Sequence, residues 1–110
     1  MADDISKEKA KEIEKAYEDK KEEQTETMGA MPKVDMNTFI LSLSSSVLVN
    51  LGEVPDPVTG KISQNLEMAR HTIDILALLE EKTKGNLTED EERLLKNVLF
   101  DLRMKYIQKS

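Results

Sequence analysis

Apolar side chains recur at helical spacing in the second half of the chain, beginning after Asp35. In "DMNTFILSLSSSVLVNLG" they return every three or four residues, as on one face of a helix. Asp35 is suited to cap the start of this helix, and Gly52 can take a left-handed conformation at its end. The pattern predicts a first helix from Asp35 to Gly52. Its apolar face consists of Met36, Ile40, Leu43, Val47 and Leu51.

Further apolar side chains spread around this first helix. Phe39, Leu41, Leu48 and Val49 lie outside its main face, so the helix needs cover on more than one side. The polar exceptions are small serines, whose hydroxyls can bond to a carbonyl one turn back. The first helix is therefore expected to be enclosed by other helices.

A second helical pattern follows in "NLEMARHTIDILALLEEKTKG", with Asn65 as its predicted cap and Gly85 just beyond its end. Its apolar positions are Leu66, Ala69, Ile73, Leu76 and Leu79. The third pattern starts at Thr88, which is followed three residues later by Glu91 in a capping-box arrangement. Its apolar stripe is Leu95, Val98, Leu102 and Tyr106. The short "GNL" link predicts that these two helices form an antiparallel hairpin.

Residues 1–33 differ from the rest because they are dominated by charged and polar side chains. They cannot bury enough apolar surface to offset the entropy of ordering, although lysine and glutamate at helical spacing can sustain a fraying helix. Gly29 and Pro32 mark a linker. The chain is thus predicted to carry a largely disordered or frayed tail at 1–33 and a helical domain at 34–110.

Together these patterns predict an all-α protein. Its unit has three helices: one apolar helix, a proline-rich loop and an antiparallel hairpin. No run of residues alternates in the manner of a strand. A domain this small has a marginal core without disulfides or metals. We therefore expect a homodimer in which the first helix packs against its mate or across the partner's hairpin, with Leu43 and Val47 in the interface.

The overall charge limits the classes of partner. The 110 residues carry a net charge of −6, and only 4% of them are aromatic. Such a surface repels phosphate backbones and offers few stacking platforms, so no nucleic acid is expected to bind. No apolar run reaches the roughly 20 residues of a membrane-spanning helix. The lack of cysteine fits a reducing compartment, and the cytoplasm is expected.

Three blocks of the sequence carry a family resemblance. They are "SLSSSVLVNLGEVPDPVTGK", "NLEMARHTIDILALLEEKTKGNLTEDEERLL" and "LFDLRMKYI". Together they resemble the bacterial domain-of-unknown-function family 1844 across roughly residues 36–107. That resemblance implies a small bacterial protein. It implies neither an activity nor catalytic residues.

The segment "LGEVPDPVTGK" is a stiff connector. Pro55 and Pro57 favour extended backbone, and Gly60 permits a turn. Lys61 is followed by Ile62 and no strand precedes the segment, so the pattern is not that of a nucleotide-binding loop. A second interpretation is a partner-docking surface over residues 54–58.

One group of side chains has the chemistry of a reactive site. Glu67, His71 and Asp74 lie about one turn apart on the second helix, as a divalent-cation site or an acid–base pair requires. The competing interpretation is an ordinary solvated helix face. Arg70, Arg93 and Arg103 are expected to form salt bridges between helices.

The sequence favours a non-enzymatic protein-interaction or assembly module without catalytic residues, metal or cofactor. The alternative is a small-molecule or metal-dependent site at a dimer cleft that uses Glu67, His71 and Asp74. In the first case the ligand is another protein, not yet identified, or a second copy of the chain.

Overall fold

The computed structural model describes residues 6–28 and 33–110. This part of the chain contains four helices and no strand, so the predicted all-α class is confirmed. The helices are α1 (Lys7–Met28), α2 (Met36–Leu51), α3 (Leu66–Lys82) and α4 (Glu89–Lys109). The chain divides into two compact units, one up to residue 33 and one from residue 34 onward.

The first unit contains α1. The sequence predicted either a frayed helix or a disordered segment for this region. Residues 7–28 are helical. Its side chains from residue 7 to residue 24 are exposed, including the two large hydrophobic ones, Ile13 and Tyr17. Lys21 pairs with Glu18 at 3.3 Å within the helix. Exposed pairs of this kind stabilise a helix only slightly, because water screens them.

The ends of α2 are capped as the sequence predicts. Asp35 Oδ1 accepts a hydrogen bond from the backbone N–H of Thr38 at 2.8 Å. At the other end Gly52 takes a left-handed φ of 80°. The Gly52 N–H donates to Val49 O at 3.0 Å, and the Glu53 N–H donates to Leu48 O at 3.0 Å. This pair of bonds is a Schellman motif, which satisfies the last carbonyls of the helix.

Replacing Gly52 with alanine should lower the free energy of unfolding by about 1 kcal/mol, because an L side chain is strained at this φ. Urea denaturation followed by circular dichroism measures the loss. Ser45→Ala, at an exposed interior position of α2, is the control and should not destabilise the domain. Equal stability of the Gly52 variant and the wild type would contradict the proposed role of the glycine.

The predicted N-terminal caps of α3 and α4 are also confirmed, whereas α3 ends at Lys82 with Thr83 as its C-terminal cap, earlier than the predicted end just before Gly85. Asn65 Oδ1 accepts from the N–H of Met68 at 3.0 Å. At α4 the N–H of Glu91 donates to Thr88 Oγ1 at 3.2 Å, and the N–H of Thr88 donates to Glu91 Oε1 at 2.8 Å. Both bonds of the capping box are therefore present.

α2, α3 and α4 pack together around one aliphatic core. The buried apolar residues are Ile40, Val47, Leu51, Ala69, Ile73, Leu76, Leu95, Leu99 and Leu102. Apart from Leu99, all of them belong to the faces predicted from the sequence. Thr72 is the one polar residue buried in the described part, and its hydroxyl donates to Met68 O at 3.1 Å. No polar side-chain atom buried in this part of the chain lacks a partner.

The burial of Val47 corrects one expectation. Val47 has no exposed surface because α3 and α4 of the same chain cover it, and Leu43 is half-buried against the same core. Val47 is therefore unavailable to a mate, and its expected place in the dimer interface is wrong. The expected dimer itself stays a prediction. Among the helices of the described residues, none is long and apolar enough to cross a membrane.

Candidate functional site

Glu67, His71 and Asp74 are all exposed on α3. Glu67 and His71 border a shallow concavity of about 240 Å³ together with Asn65, Met68 and Arg70, and Asp74 does not reach it. Across residues 6–28 and 33–110, no three histidine, aspartate or glutamate side chains are placed to hold a metal ion. Within one chain the structure thus brings together two members of the predicted trio.

The proline loop folds into a hydrogen-bonded turn. Asp56 is its centre, because Asp56 Oδ1 accepts from the Val58 N–H at 2.8 Å and the Asp56 N–H donates to Lys61 O at 2.9 Å. Gly60 has a φ of 72°, and its N–H donates to Asp56 O at 2.7 Å. The predicted turn through Gly60 is confirmed. Val58 and Ile62 are exposed on this loop.

Two contacts fix the ends of this loop to the helical core. The Asn65 N–H donates to Asn50 O at 2.8 Å, which ties the start of α3 to the end of α2. Lys109 Nζ lies 3.7 Å from Glu53 Oε1 and brings the end of α4 to the start of the loop. Contacts within the chain therefore hold the loop in place, which fits its predicted role as a stiff connector.

A larger cavity, of about 380 Å³, lies where the end of α3 meets the start of α4. Leu87 and Leu95 provide its apolar lining. Its charged lining residues are Glu80, Glu81, Lys84, Glu92 and Lys96. Lys96 Nζ pairs with Glu92 Oε1 at 3.0 Å within α4. Since Glu81 and Lys96 line one cavity, these two side chains face the same side of the α3–α4 pair.

The most unusual surface is an apolar stripe on α4 formed by Phe100, Met104 and Ile107. Phe100 is 69% exposed and Ile107 is 71% exposed, and Met104 is exposed as well. Steps of four and three residues place the three side chains on one face, away from the buried Leu95, Leu99 and Leu102. The apolar face predicted for this helix, from Leu95 to Tyr106, does not include these three residues. The spacing of the three residues was the available signal.

Charged side chains form two rows on the same helices. Glu67, Asp74 and Glu81 recur every seven residues on α3, and Lys96 and Arg103 do so on α4. The salt bridges expected between helices at the arginines are absent from the described part of the chain. There, Arg93 pairs at 3.7 Å with Asp90 of its own helix, and Arg70 and Arg103 form no ion pair. The long side chains of these arginines extend into solvent instead of across a helix contact.

Comparison with known proteins places the domain in a family. A family model described as "Domain of unknown function (DUF1844)" matches residues 33–108, which include α2, α3 and α4. Comparisons with curated proteins and with solved structures found no significant match.

Proposed function

The chain belongs to the DUF1844 family, and we propose that its domain at residues 34–110 is a protein-interaction or assembly module, with residues 1–33 as a charged appendage. In this proposal the domain has no catalytic residues, and two copies associate as a homodimer. The α3–α4 pair is its antiparallel hairpin. The absence of cysteine supports a reducing compartment such as the cytoplasm as its place of action.

The exposed stripe on α4 carries this proposal. Burying a phenylalanine or isoleucine side chain that is otherwise in water stabilises a complex by about 1.5–3 kcal/mol. Phe100, Met104 and Ile107 lie side by side, so one partner can cover all three, whereas scattered exposed residues give no such gain. The sequence-based expectation of self-association therefore moves from α2 to α4.

The alternative function uses Glu67, His71 and Asp74 at a dimer cleft. Its support within one chain is limited to the shallow concavity that Glu67 and His71 share. A metal or acid–base site needs converging ligands, and Asp74 lies outside that concavity. The interaction module rests on a larger apolar surface and is the function that we favour.

Replacing Phe100 and Ile107 together with serine should convert the dimer to a monomer, because the substitutions remove most of the exposed apolar stripe. Sedimentation velocity at matched concentrations measures the mass. The control is the double substitution Val58→Ser and Ile62→Ser, which removes two exposed apolar side chains from the proline loop. The control should keep the mass of the wild type.

Circular dichroism distinguishes dissociation from unfolding. Because Phe100 and Ile107 are exposed, their replacement should leave the helix content close to that of the wild type. The unfolding midpoint should be close to that of the wild type at concentrations low enough for the dimer to dissociate. A dimer that survives these substitutions unchanged would remove the stripe from the interface. Dissociation of the proline-loop control would point to the loop instead.

A further inference from the structure

A second surface, which lies on α2, carries no charge at all. We call it the neutral face, and it consists of Thr38, Leu41, Ser42, Ser45 and Val49. We propose that the neutral face of one copy covers the α4 stripe of the other, and that a two-fold axis repeats this contact. The inference rests on the proposed function, and it specifies which surface of the second copy covers the stripe.

Among the helices of the described residues, α2 is the one without a charged side chain. Its 16 residues, Met36–Leu51, contain no lysine, arginine, aspartate or glutamate. Since 35% of the whole chain is charged, a helix with one side in water would ordinarily carry several such residues. Depletion of charge distinguishes the buried centre of a protein interface from the rest of a protein surface. The composition of α2 therefore indicates that its outer side is also covered.

The neutral face lies on the side of α2 that points away from the core. Its other members follow Thr38 by three, four, seven and eleven residues, which is the spacing of one helix face. The buried residues of α2, which are Ile40, Val47 and Leu51, lie on the opposite side. The neutral face is thus available to another molecule.

The side chains of the neutral face can be covered without loss of hydrogen bonds. Leu41 is 51% exposed and is its large apolar residue. The Ser42 hydroxyl already donates to Phe39 O at 2.8 Å, so its burial leaves no unpaired donor. The Ser45 hydroxyl can bond in the same way to a carbonyl one turn back. A dry contact on this side of α2 is therefore compatible with its polar atoms.

The charges that border the α4 stripe favour this occupant over others. Lys96 precedes Phe100 by four residues and Arg103 precedes Ile107 by four, so both cations lie along the stripe. If two stripes met each other, Lys96 and Arg103 of both copies would gather around one contact and repel. On α1 and α3 the exposed apolar residues stand among charged ones, which the stripe would have to bury. The neutral face places no charge opposite the stripe.

The two surfaces also match in size and length. The stripe presents large side chains, whereas the neutral face is mostly threonine and serine, and large side chains pack well against small ones. Phe100 to Ile107 extends about 10.5 Å along α4, and Thr38 to Val49 extends about 16.5 Å along α2. The neutral face is therefore long enough to cover the whole stripe, including Met104.

Each copy contributes both surfaces to the dimer. α2 and α4 belong to one compact unit and pack on each other. A two-fold axis that places one stripe on the neutral face of the mate also places the mate's stripe on the neutral face of the first copy. One isologous dimer thus covers the stripes and the neutral faces of both copies.

A charge on the neutral face tests this contact. Ser45→Glu places a carboxylate against the apolar stripe of the mate, and the dimer contains this substitution twice. Self-association measured by sedimentation velocity should therefore weaken by at least about tenfold. The matched control is Ser46→Glu, because Ser46 is exposed on the same helix but lies about 100° further around it, outside the neutral face. The control should dimerise like the wild type, and circular dichroism checks that both variants are folded.

Cross-linking between copies identifies the helix that opposes the neutral face. The chain has no cysteine, so each substitution introduces a single thiol. An isotope-labelled Met104→Cys chain is mixed with an unlabelled Ser45→Cys chain and treated with a flexible bismaleimide, and the mass of the product identifies the mixed pair. We expect a high yield of this mixed product. The control pair is Ser45→Cys with Leu78→Cys, whose thiol is exposed on α3 and should give little mixed product.

The outcomes separate this inference from the proposed function. The inference is overturned if Ser45→Glu dimerises as well as the wild type, if Ser46→Glu weakens the dimer equally, or if the α3 pair cross-links as well as the α4 pair. In each case the proposed function still stands, provided that the Phe100 and Ile107 serine variant dissociates. If that serine variant stays dimeric, the stripe is not in the interface and both proposals fall. A wild-type chain that is monomeric throughout would also overturn both and would leave the stripe to a different protein.

Discussion

Replacing Leu76 with alanine should lower the free energy of unfolding of the helical domain by about 2–5 kcal/mol. Leu76 lies in α3 with none of its surface exposed, among the leucines of α4 and the apolar face of α2. Truncation removes buried methyl groups and leaves a cavity that rigid neighbouring helices fill only partly. Small domains have only about 5–15 kcal/mol in total, so the loss is a large fraction of the stability.

Urea denaturation at a fixed protein concentration measures this effect, because self-association makes the stability of a protein depend on its concentration. The matched control is Leu41→Ala, the same truncation at a position of α2 where about half of the side chain is in water. We expect the control to lose well under half as much. Equal losses at the two leucines would mean that α3 is not buried between α2 and α4 as described.

Replacing Val47 with aspartate should unfold the domain. The substitution places a carboxylate inside an aliphatic core, and no charged residue is buried among the described residues to pair with it. An isolated charge in such surroundings costs several kcal/mol or more, which is comparable to the stability of the whole domain. Far-ultraviolet circular dichroism and the dispersion of amide resonances measure the loss of structure.

Ser46→Asp is the control for this substitution. Ser46 precedes Val47 on α2 and is exposed, so its replacement adds the same charge where water can solvate it. The control variant should fold with nearly the wild-type stability. A folded Val47→Asp variant that merely dissociates would contradict the burial of Val47 and return the dimer interface to α2.

The helix boundaries could be predicted because local chemistry determines them. Asp35, Asn65 and Thr88 each present a side-chain oxygen to a free N–H at the start of a helix, and Gly52 accepts a conformation that other residues avoid. These interactions span only three or four residues, so they can be recognised in a short stretch of sequence. The caps and the core faces are accordingly the expectations that the structure confirms.

The use of each apolar face could not be predicted in the same way. Val47 and Phe100 are both apolar residues in helices, and which of them is buried depends on how the three helices are arranged around each other. The sequence supported a dimer through Val47, but the fold uses that side chain internally and leaves Phe100 in water. Packing between helices that are distant in sequence determines which face is buried, and a short stretch of sequence does not show it.

The candidate site shows the same division. Spacing along α3 placed Glu67, His71 and Asp74 on one exposed side, but it could not show that only two of them share a concavity. Nor could it show that Arg103 forms no ion pair with the acids of α3 among the described residues, because interhelical salt bridges depend on side-chain reach across a contact. The sequence also could not show that Glu81 and Lys96 line one cavity, because this depends on how α3 and α4 pack.

In the dimer that we propose, another copy of the chain covers the exposed stripe on α4. Light scattering across a dilution series of the wild-type protein measures this most directly. We expect twice the chain mass of 12.5 kDa at high concentration, with a shift toward the single-chain mass on dilution. A mass of one chain at every concentration, with Phe100 and Ile107 still exposed, would contradict it.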